Sequence, residues 1–344
     1  MPATTQSITN NSILAATLAR RSPGYVSQVG NQIALWYFLK RKGRYTPATG
    51  EAIEYSVEYK INTDDPSYSG MEPLGLQEYD NLTKLRAEWK QYQRDIVISG
   101  LDMKVRNTGP EALIKLAKQK ETSALTGLQN AMNQHFYLDG TGNAGKRVTG
   151  LGAHISETPT TGTINGVNRA TAGNTWAQNQ SIDINAAHYT GSATLPLFTL
   201  KDQMELLRMY CGRTMAGGVT GRFPDYILTS ETGYLYYSNH CTRIGQRFVN
   251  VDVADAGFDN LKFMKTTMVA DQDCPADAGG DQKYFFINSQ FMELYYAPAY
   301  NFSTLGMERA MSQDGFYDRI LWAGELVCNL WNKQGLLQGV KTAA

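Results

Sequence analysis

Alternation of apolar and polar residues predicts a strand near the start of the chain. Residues Tyr55–Ile61 alternate strictly between apolar and polar, and turn-rich segments flank them at 47–50 and 64–70. A second extended stretch, Lys84–Ser99, ends in three consecutive apolar residues. Together they predict a long two-stranded hairpin over 43–100. Such a hairpin is marginally stable alone, so it needs another surface to pack against.

One long helix is predicted to follow the hairpin. Gly109-Pro110-Glu111 is a start signal, because proline fits the first helical turn and an acid suits its positive end. Asp139-Gly140 is a stop signal. The predicted helix, 110–138, would be roughly 43 Å long at about 1.5 Å per residue. Apolar residues recur on one face of it and are interrupted midway by Lys120 and Glu121. We interpret this helix as a strut that spans the subunit.

The rest of the chain mixes short helices with strands, so the predicted fold class is α+β. Residues 1–42 show no compact pattern, and we predict an arm that orders only against another surface. Residues 139–173 are rich in Gly, Thr and Asn and predict loops with short strands. The pattern beyond them predicts helices at 200–211 and 231–241, strands at 226–229, 260–269, 283–287 and 292–296, and a long extended run at 318–330.

The composition favours association between copies of the chain over binding to a highly charged partner such as nucleic acid. The 344 residues suggest roughly two domains. Lys plus Arg number 32 and Asp plus Glu also number 32, so the whole chain lacks the basic footprint of a nucleic-acid binder and does little to oppose self-association. The 20 tyrosines suit surfaces that become buried when subunits meet, although tyrosine is also common in β-rich cores. Composition leaves these two explanations open.

Targeting and membrane signals are weak. The longest apolar run, Ile33–Leu39, is far shorter than the ~18–20 residues of a membrane span. The first twelve residues lack the basic and apolar regions of a signal peptide. Four widely spaced cysteines without a CxxC pair predict buried, reduced thiols in a cytoplasm. We therefore expect neither a disulfide framework nor a zinc site.

The strongest chemical motif is a glycine-rich loop whose neighbouring residues and elements differ from those of a phosphate-binding loop. Residues Gly140–Lys146 have the GxxxxGK spacing of a phosphate-binding loop. However, Arg147 stands where Ser or Thr would hold magnesium, and the loop closes a helix instead of opening one. We interpret it as a tight turn with a basic tip. The histidines are scattered, the acidic clusters lie in turns, and no GxSxG is present, so no catalytic, metal or cofactor residue is predicted.

The order of these elements, together with several short strings, resembles the major capsid proteins of tailed bacteriophages, which share the HK97-type fold. The resemblance covers about residues 40–335. The strings are Val97-Ile98-Ser99-Gly100-Leu101, Asn107-Thr108-Gly109, Asp139-Gly140-Thr141-Gly142 with Gly150-Leu151, Gly166-Val167-Asn168-Arg169 with Trp176, Pro224-Asp225 with Leu228-Thr229, Gln246-Arg247-Phe248, and Gly324-Glu325-Leu326 with Asn329.

The resemblance implies a division of the chain and a structural function. The implied parts are an N-terminal arm (1–42), an extended E-loop (43–100), a peripheral domain (101–195) with its spine helix (110–138), an axial domain (196–318) and a return strand of the peripheral domain (319–344). Such subunits form pentamers and hexamers of an icosahedral shell around double-stranded DNA. A non-enzymatic virion protein, assembled in the host cytoplasm without a cofactor or a membrane, is the implied identity.

The resemblance also implies partners. They are other copies of the chain, a scaffolding protein, a portal, weak non-specific contact with packaged DNA and a decoration protein. The residues expected at contacts between subunits are Tyr55, Val57, Tyr59, Trp89, Lys120 and Glu121. An encapsulin-type compartment shell and another virion structural protein remain alternatives. A nucleotide-dependent enzyme, detectable by magnesium-dependent binding of fluorescent ATP, is a third.

Overall fold

The computed structural model describes most of the chain. The described residues are 33–60, 67, 69–71, 80–102, 110–184, 200–213, 222–243, 260–277, 280–306, 308–309 and 314–340. The helices are α1 (Ala34–Arg41), α2 (Pro110–Tyr137), α3 (Gly142–Gly145), α4 (Leu151–His154), α5 (Leu200–Gly212) and α6 (Glu231–Arg243). The strands are β1 (Tyr45–Pro47), β2 (Ile53–Glu58), β3 (Leu82–Ala87), β4 (Lys90–Ser99), β5 (Thr163–Ile164), β6 (Val167–Asn168), β7 (Gln180–Asp183), β8 (Tyr226–Thr229), β9 (Asn260–Phe263), β10 (Thr266–Ala270), β11 (Gln282–Ile287), β12 (Met292–Thr304), β13 (Glu308–Arg309), β14 (Gly315–Cys328) and β15 (Gly335–Val340).

Two larger sheets and two small hairpins contain these strands. The first sheet has the order β1-β12-β14-β13, and β4 also pairs with β14. The second sheet has the order β7-β15-β11-β8-β10-β9. In the second sheet β8 runs parallel to β10 and β15 parallel to β7. The hairpins are β2 with β3 and β5 with β6.

Both faces of the second sheet are covered, which explains why its central strands are apolar throughout. All four residues of β8 are buried. Tyr226 and Leu228 face the cluster that contains the long helix α2, whereas Ile227 faces a cluster with residues of α5 and α6. A strand covered on both sides has no polar face, so its sequence is a continuous apolar run.

The long helix α2 agrees with its prediction. It comprises 28 residues, so its length is about 42 Å at ~1.5 Å per residue. The interruption predicted midway is partly wrong, because Glu121 lies on the buried face together with Ala117 and Ala124 and is itself fully buried. These positions follow each other at spacings of four and three residues, which keeps them on one side of a helix.

The last part of the segment predicted as an N-terminal arm (1–42) forms a helix that belongs to the hydrophobic core. Helix α1 buries Leu35, Trp36 and Phe38 in the same cluster as α2 and the first sheet. Phe38 stacks on Tyr226 with ring centroids 3.8 Å apart. Residues 34–41 therefore form a helix that packs on the core of the same chain, and residues 1–32 lie outside the described part. The assignment of 1–42 as an arm stays a prediction.

Strand β4 does not belong to the hairpin that was predicted over 43–100. The hairpin consists of β2 and β3, which pair from Ile53 opposite Ala87 to Glu58 opposite Leu82. Strand β4 instead pairs along ten residues with β14. Alternation located β2, but the single extended stretch predicted over 84–99 is two strands, β3 and β4, with different partners. Local patterns do not specify partners distant in sequence.

Sheet membership also divides the chain differently from the predicted domains. The predicted boundary between 318 and 319 falls inside β14. Strand β12, assigned to the axial domain, lies in the first sheet, whereas β7 and β15, assigned to the peripheral domain, lie in the second. Strand β15 itself was not recognised in the sequence. The assignment of peripheral and axial roles stays a prediction.

Candidate assembly surfaces

Four of the six predicted contact residues lie in one cluster beneath the β2–β3 hairpin. Tyr55 and Val57 are buried in it, and Tyr59 and Trp89 pack against it partly exposed. The cluster also contains Trp176 and Trp331 of the same chain. The Tyr59 ring lies 6.0 Å from that of Trp176. The hairpin therefore has a supporting surface within its own subunit.

The structure corrects the expectation that Tyr55, Val57 and Glu121 form an open contact surface. Their exposed fractions are 7%, 1% and 0%, so each is already covered within the subunit. Lys120 is exposed on α2 and is not a member of the hairpin cluster. Contact between subunits stays a prediction for Tyr59, Trp89 and Lys120, whose side chains retain exposed surface.

The outward face of the hairpin carries mainly polar side chains, together with Leu82, which is 60% exposed, and it was not singled out in the sequence. Glu54, opposite Arg86, and Ser56, opposite Lys84, are exposed. Arg86 forms an ion pair with Glu51 at 3.0 Å. Because alternate residues of a strand point to opposite faces, the pattern identified both faces but did not show which one the subunit covers.

The GxxxxGK loop folds back against the end of α2. Gly140 has φ +81°, and a Cβ added there would lie 2.9 Å from the Cα of Thr149. A Cβ at Gly150 would lie 2.4 Å from the carbonyl oxygen of Phe136. Glycine is therefore required at Gly140, where the loop begins, and at Gly150, four residues beyond Lys146, for the close approach of two backbone segments.

Side chains from the first sheet hold this loop in place. Lys90 Nζ donates to the Gly145 carbonyl at 2.7 Å, and the Val148 N–H donates to Tyr92 Oη at 3.0 Å. The Thr149 N–H donates to Glu325 Oε1 at 2.7 Å. Burial raises the pKa of Glu325 to about 8. The Thr149 N–H and the charge of Lys90 favour the charged carboxylate, but the effect of burial is larger.

Two backbone N–H groups near the end of the loop donate to carbonyl groups of the loop itself. The Gly145 N–H donates to the Thr141 carbonyl at 3.1 Å and the Lys146 N–H donates to the Asn143 carbonyl at 3.2 Å. A phosphate-binding loop aims such N–H groups at its ligand. The geometry thus favours the interpretation as a turn that leaves the long helix.

A second buried network joins α4 to the end of β14. Trp331 Nε1 donates to His154 Nδ1 at 3.1 Å, so the proton resides on His154 Nε2, which donates to the Leu326 carbonyl at 3.0 Å. Arg169 binds the His154 carbonyl at 3.2 Å through Nη2. Burial lowers the pKa of His154 to about 4. The ring is therefore a neutral structural group.

The described residues contain no group of three His, Cys, Asp or Glu side chains able to hold a metal ion. All four cysteines are buried as separate thiols. Among the helices in the described ranges, none is both long and apolar enough to cross a membrane.

Comparison with known proteins relates the chain to shell proteins through its fold. No protein-family model matches it, and no curated protein matches its sequence. Among solved structures, the capsid asymmetric unit of cyanophage A-1(L) matches with a TM-score of 0.58 and 16% identity, over 87% of this chain and 91% of that one. The chain has an HK97-like fold.

Two further solved structures share the HK97-like fold of this chain. The holo-SrpI encapsulin complex from Synechococcus elongatus PCC 7942 matches with a TM-score of 0.54 and 10% identity, over 89% of this chain and 88% of that one. The capsid of a native GTA particle also has a TM-score of 0.54, at 9% identity, over 88% and 90% of the two chains. At these identities the likeness concerns the fold, and it confirms the predicted fold class.

Acid should destabilise this HK97-like subunit through His154. The folded pKa of about 4 lies below the ordinary value of 6.5, so the unfolded chain binds more protons between these values. The contribution is fully present above pH 6.5 and is lost as the pH falls toward 4, by about 3 kcal/mol in total. Glu325, whose pKa is raised to about 8, contributes stability of the opposite sign as the pH falls through the same range. Urea unfolding between pH 7.5 and 4.5 therefore measures the His154 contribution as the difference between the wild type and a variant at position 154.

The variant His154→Gln cannot titrate at this position and is the control for the acid effect. It should lose the part of the pH slope that His154 contributes, whatever its own stability at pH 7.5. The assignment predicts a difference between the two pH profiles, because the stabilisation by Glu325, whose pKa is raised to about 8, is common to wild type and variant. Identical pH profiles for wild type and His154→Gln would contradict the assignment.

Proposed function

We propose that the chain is a structural shell subunit that self-assembles into pentamers and hexamers of an icosahedral container for viral double-stranded DNA. The observation that carries the proposal is the likeness to the cyanophage A-1(L) capsid along 87% of the chain. The likeness covers 87% of this chain and 91% of that one, so the proposal does not rest on a single shared segment. The subunit would act by forming repeated contacts, and without chemistry of its own.

The physical properties of the chain support this role. Its net charge is zero, so like subunits do not repel each other strongly at long range. Rings form when heterologous contacts between identical subunits close, and rings of two sizes can tile a closed surface. A neutral container confines DNA without gripping it. Contact with packaged DNA would be weak and non-specific.

An encapsulin-type compartment is the second candidate. It is favoured by the likeness to the SrpI encapsulin complex, at a TM-score of 0.54. The two candidates make the same kind of closed shell and differ in what it contains. A scaffolding protein, a portal and a decoration protein belong to the first candidate only, and we keep them as predicted partners. The virion and the host cytoplasm are the corresponding predicted locations.

Sedimentation velocity and negative-stain microscopy of the purified full chain test the proposal. We expect rings with five or six subunits, or uniform closed particles, in a concentration-dependent equilibrium with the monomer. A chain that remains monomeric or dimeric at every concentration would contradict it. Nuclease-resistant double-stranded DNA inside particles from producing cells would favour the capsid. Particles that contain protein cargo without DNA would favour the compartment.

A further inference from the structure

The long helix α2 presents a basic face to solvent. Its lysines, Lys115, Lys118 and Lys120, are all exposed. Glu121, the one acid of the helix beyond its first turn, is fully buried against the core. Glu111 precedes Lys115 by four residues, a spacing at which helical side chains meet, so the cations without a nearby acid on the helix surface are Lys118 and Lys120.

Two rows of short polar side chains continue this face along the helix. Thr122 and Thr126 follow Lys118 at spacings of four residues, and Ser123 follows Lys120 at three. The Thr122 hydroxyl donates to the Lys118 carbonyl at 2.8 Å, and the Thr126 hydroxyl to the Thr122 carbonyl at 2.9 Å. These side chains therefore stay close to the helix. A shallow hollow of about 740 Å³ lies above them, lined by residues of α2 between 118 and 130.

A third cation reaches this face from the first sheet. Arg94 of β4 is exposed, and its Nη2 donates to the Gly127 carbonyl at 3.2 Å. A Cβ added at Gly127 would lie 3.1 Å from that nitrogen, so glycine leaves room for the guanidinium. Glycine inside a helix is less favourable than alanine, and here it admits a cation. The adjacent Asp95 is paired with Arg319 at 2.9 Å. We call Lys118, Lys120 and Arg94, with the hollow, the basic face.

The three cations of the basic face form no ion pair with an acid in the described part of the chain. Exposed cations elsewhere do have such partners, as Arg86 has Glu51 and Arg319 has Asp95. A helix face that meets only water usually mixes both signs of charge. The chain as a whole is neutral, so the basic face is a local excess of positive charge.

The composition of the basic face fits phosphate groups better than another protein. Lysine, arginine, serine and amide side chains are the groups that contact phosphates in protein–DNA complexes. A contact between proteins usually has an apolar centre. No large apolar side chain is exposed on α2 between 118 and 130. The face thus offers charge and hydrogen bonds without an apolar anchor.

We propose that the basic face of α2 contacts the phosphate backbone of double-stranded DNA. The contact is independent of base sequence, because every cation involved can meet a phosphate and none is held in a groove-reading geometry. The inference rests on the proposed shell function and adds an orientation, since this side of α2 would line the inner wall of the container. Lys120, predicted at a contact between subunits, would contact DNA instead.

Fluorescence anisotropy of a labelled duplex of about 30 base pairs tests the contact, with the full chain at concentrations where it sediments as a monomer. Affinity should fall steeply as the salt concentration rises, and equally for two unrelated sequences. The double variant Lys118→Gln/Lys120→Gln should lower the slope of log affinity against log salt by about 2, and the affinity at low salt at least about tenfold. Arg94→Gln should lower the slope by about 1.

The matched control is Lys60→Gln/Lys84→Gln, which removes the same charge from exposed positions of the β2–β3 hairpin segment. It should bind the duplex as the wild type does. Glutamine and lysine have similar helix propensities, so both double variants should melt within about two degrees of the wild type. Equal losses of affinity in the two double variants would show an effect of net charge alone and would overturn the inference.

Further outcomes separate this inference from the proposed function. A wild-type monomer that binds no duplex even at low salt overturns the inference, and the shell function stands. Polyglutamate that binds as tightly as the duplex at equal salt also overturns it, because the face would then suit an acidic protein. If the expected slopes are found but the chain never assembles, the DNA contact is supported and the shell function fails.

Discussion

Val57→Asp is expected to unfold the cluster beneath the β2–β3 hairpin, and not merely to block assembly. Val57 is 1% exposed in a cluster with Trp176 and Trp331. The substitution removes apolar burial and places a carboxylate among apolar and aromatic side chains without a designed partner. We expect a loss of at least about 3 kcal/mol in the free energy of unfolding. Urea unfolding followed by tryptophan fluorescence measures it directly.

Ser56→Asp provides the matched control, because it adds the same charge to the next residue of the strand. Ser56 is exposed and lies opposite Lys84, so the stability should change by no more than about 0.5 kcal/mol. Equal and small effects of the two variants on the monomer, combined with lost assembly for Val57→Asp alone, would restore the earlier expectation that Val57 contacts a neighbouring subunit.

Regular local patterns allowed much of the fold to be predicted. The proline start and the glycine stop placed the long helix within one residue of its observed end at Tyr137. Strict alternation located β2, and the apolar run Tyr226–Thr229 located a central strand of the second sheet. Each of these signals depends on residues close in sequence, so it does not require knowledge of the tertiary partner.

Strand pairing and packing between segments far apart in the sequence could not be predicted from the same local patterns. The pairing of β4 with β14 joins residues more than two hundred positions apart. For the same reason, α1 was interpreted as part of an arm, since its covering residues lie on strands and helices far along the chain. Burial of Glu121 and His154 likewise depends on surfaces that no local pattern describes.

The candidate contact residues were only partly predictable for a related reason. A side chain such as that of Tyr55 is suited both to a subunit interface and to a core, and its own atoms do not distinguish them. What distinguishes them is whether another part of the chain covers the residue. Lys120 and Glu121 likewise form one interruption in the sequence pattern, and only the structure shows that Lys120 faces solvent and Glu121 the core.

Trp36→Ala is expected to destabilise the fold strongly. Trp36 is fully buried, with its ring 5.4 Å from that of Trp322, 5.7 Å from that of Phe302 and 6.0 Å from that of Phe136. It therefore joins α1 to the long helix and the first sheet. Removal leaves a large cavity among rigid aromatic neighbours, and we expect a loss of about 3–5 kcal/mol in the free energy of unfolding.

Trp89→Ala distinguishes this core role from a general effect of losing a tryptophan. Trp89 is partly exposed, and its Nε1 donates to the Gly50 carbonyl at 3.0 Å. Its removal should cost about 1 kcal/mol, the usual size for a residue outside the core. If Trp36→Ala instead changes the free energy of unfolding by less than Trp89→Ala does, residues 34–41 do not support the core. The predicted arm would then extend to residue 42, because α1 would be ordered by a neighbouring subunit and not by its own.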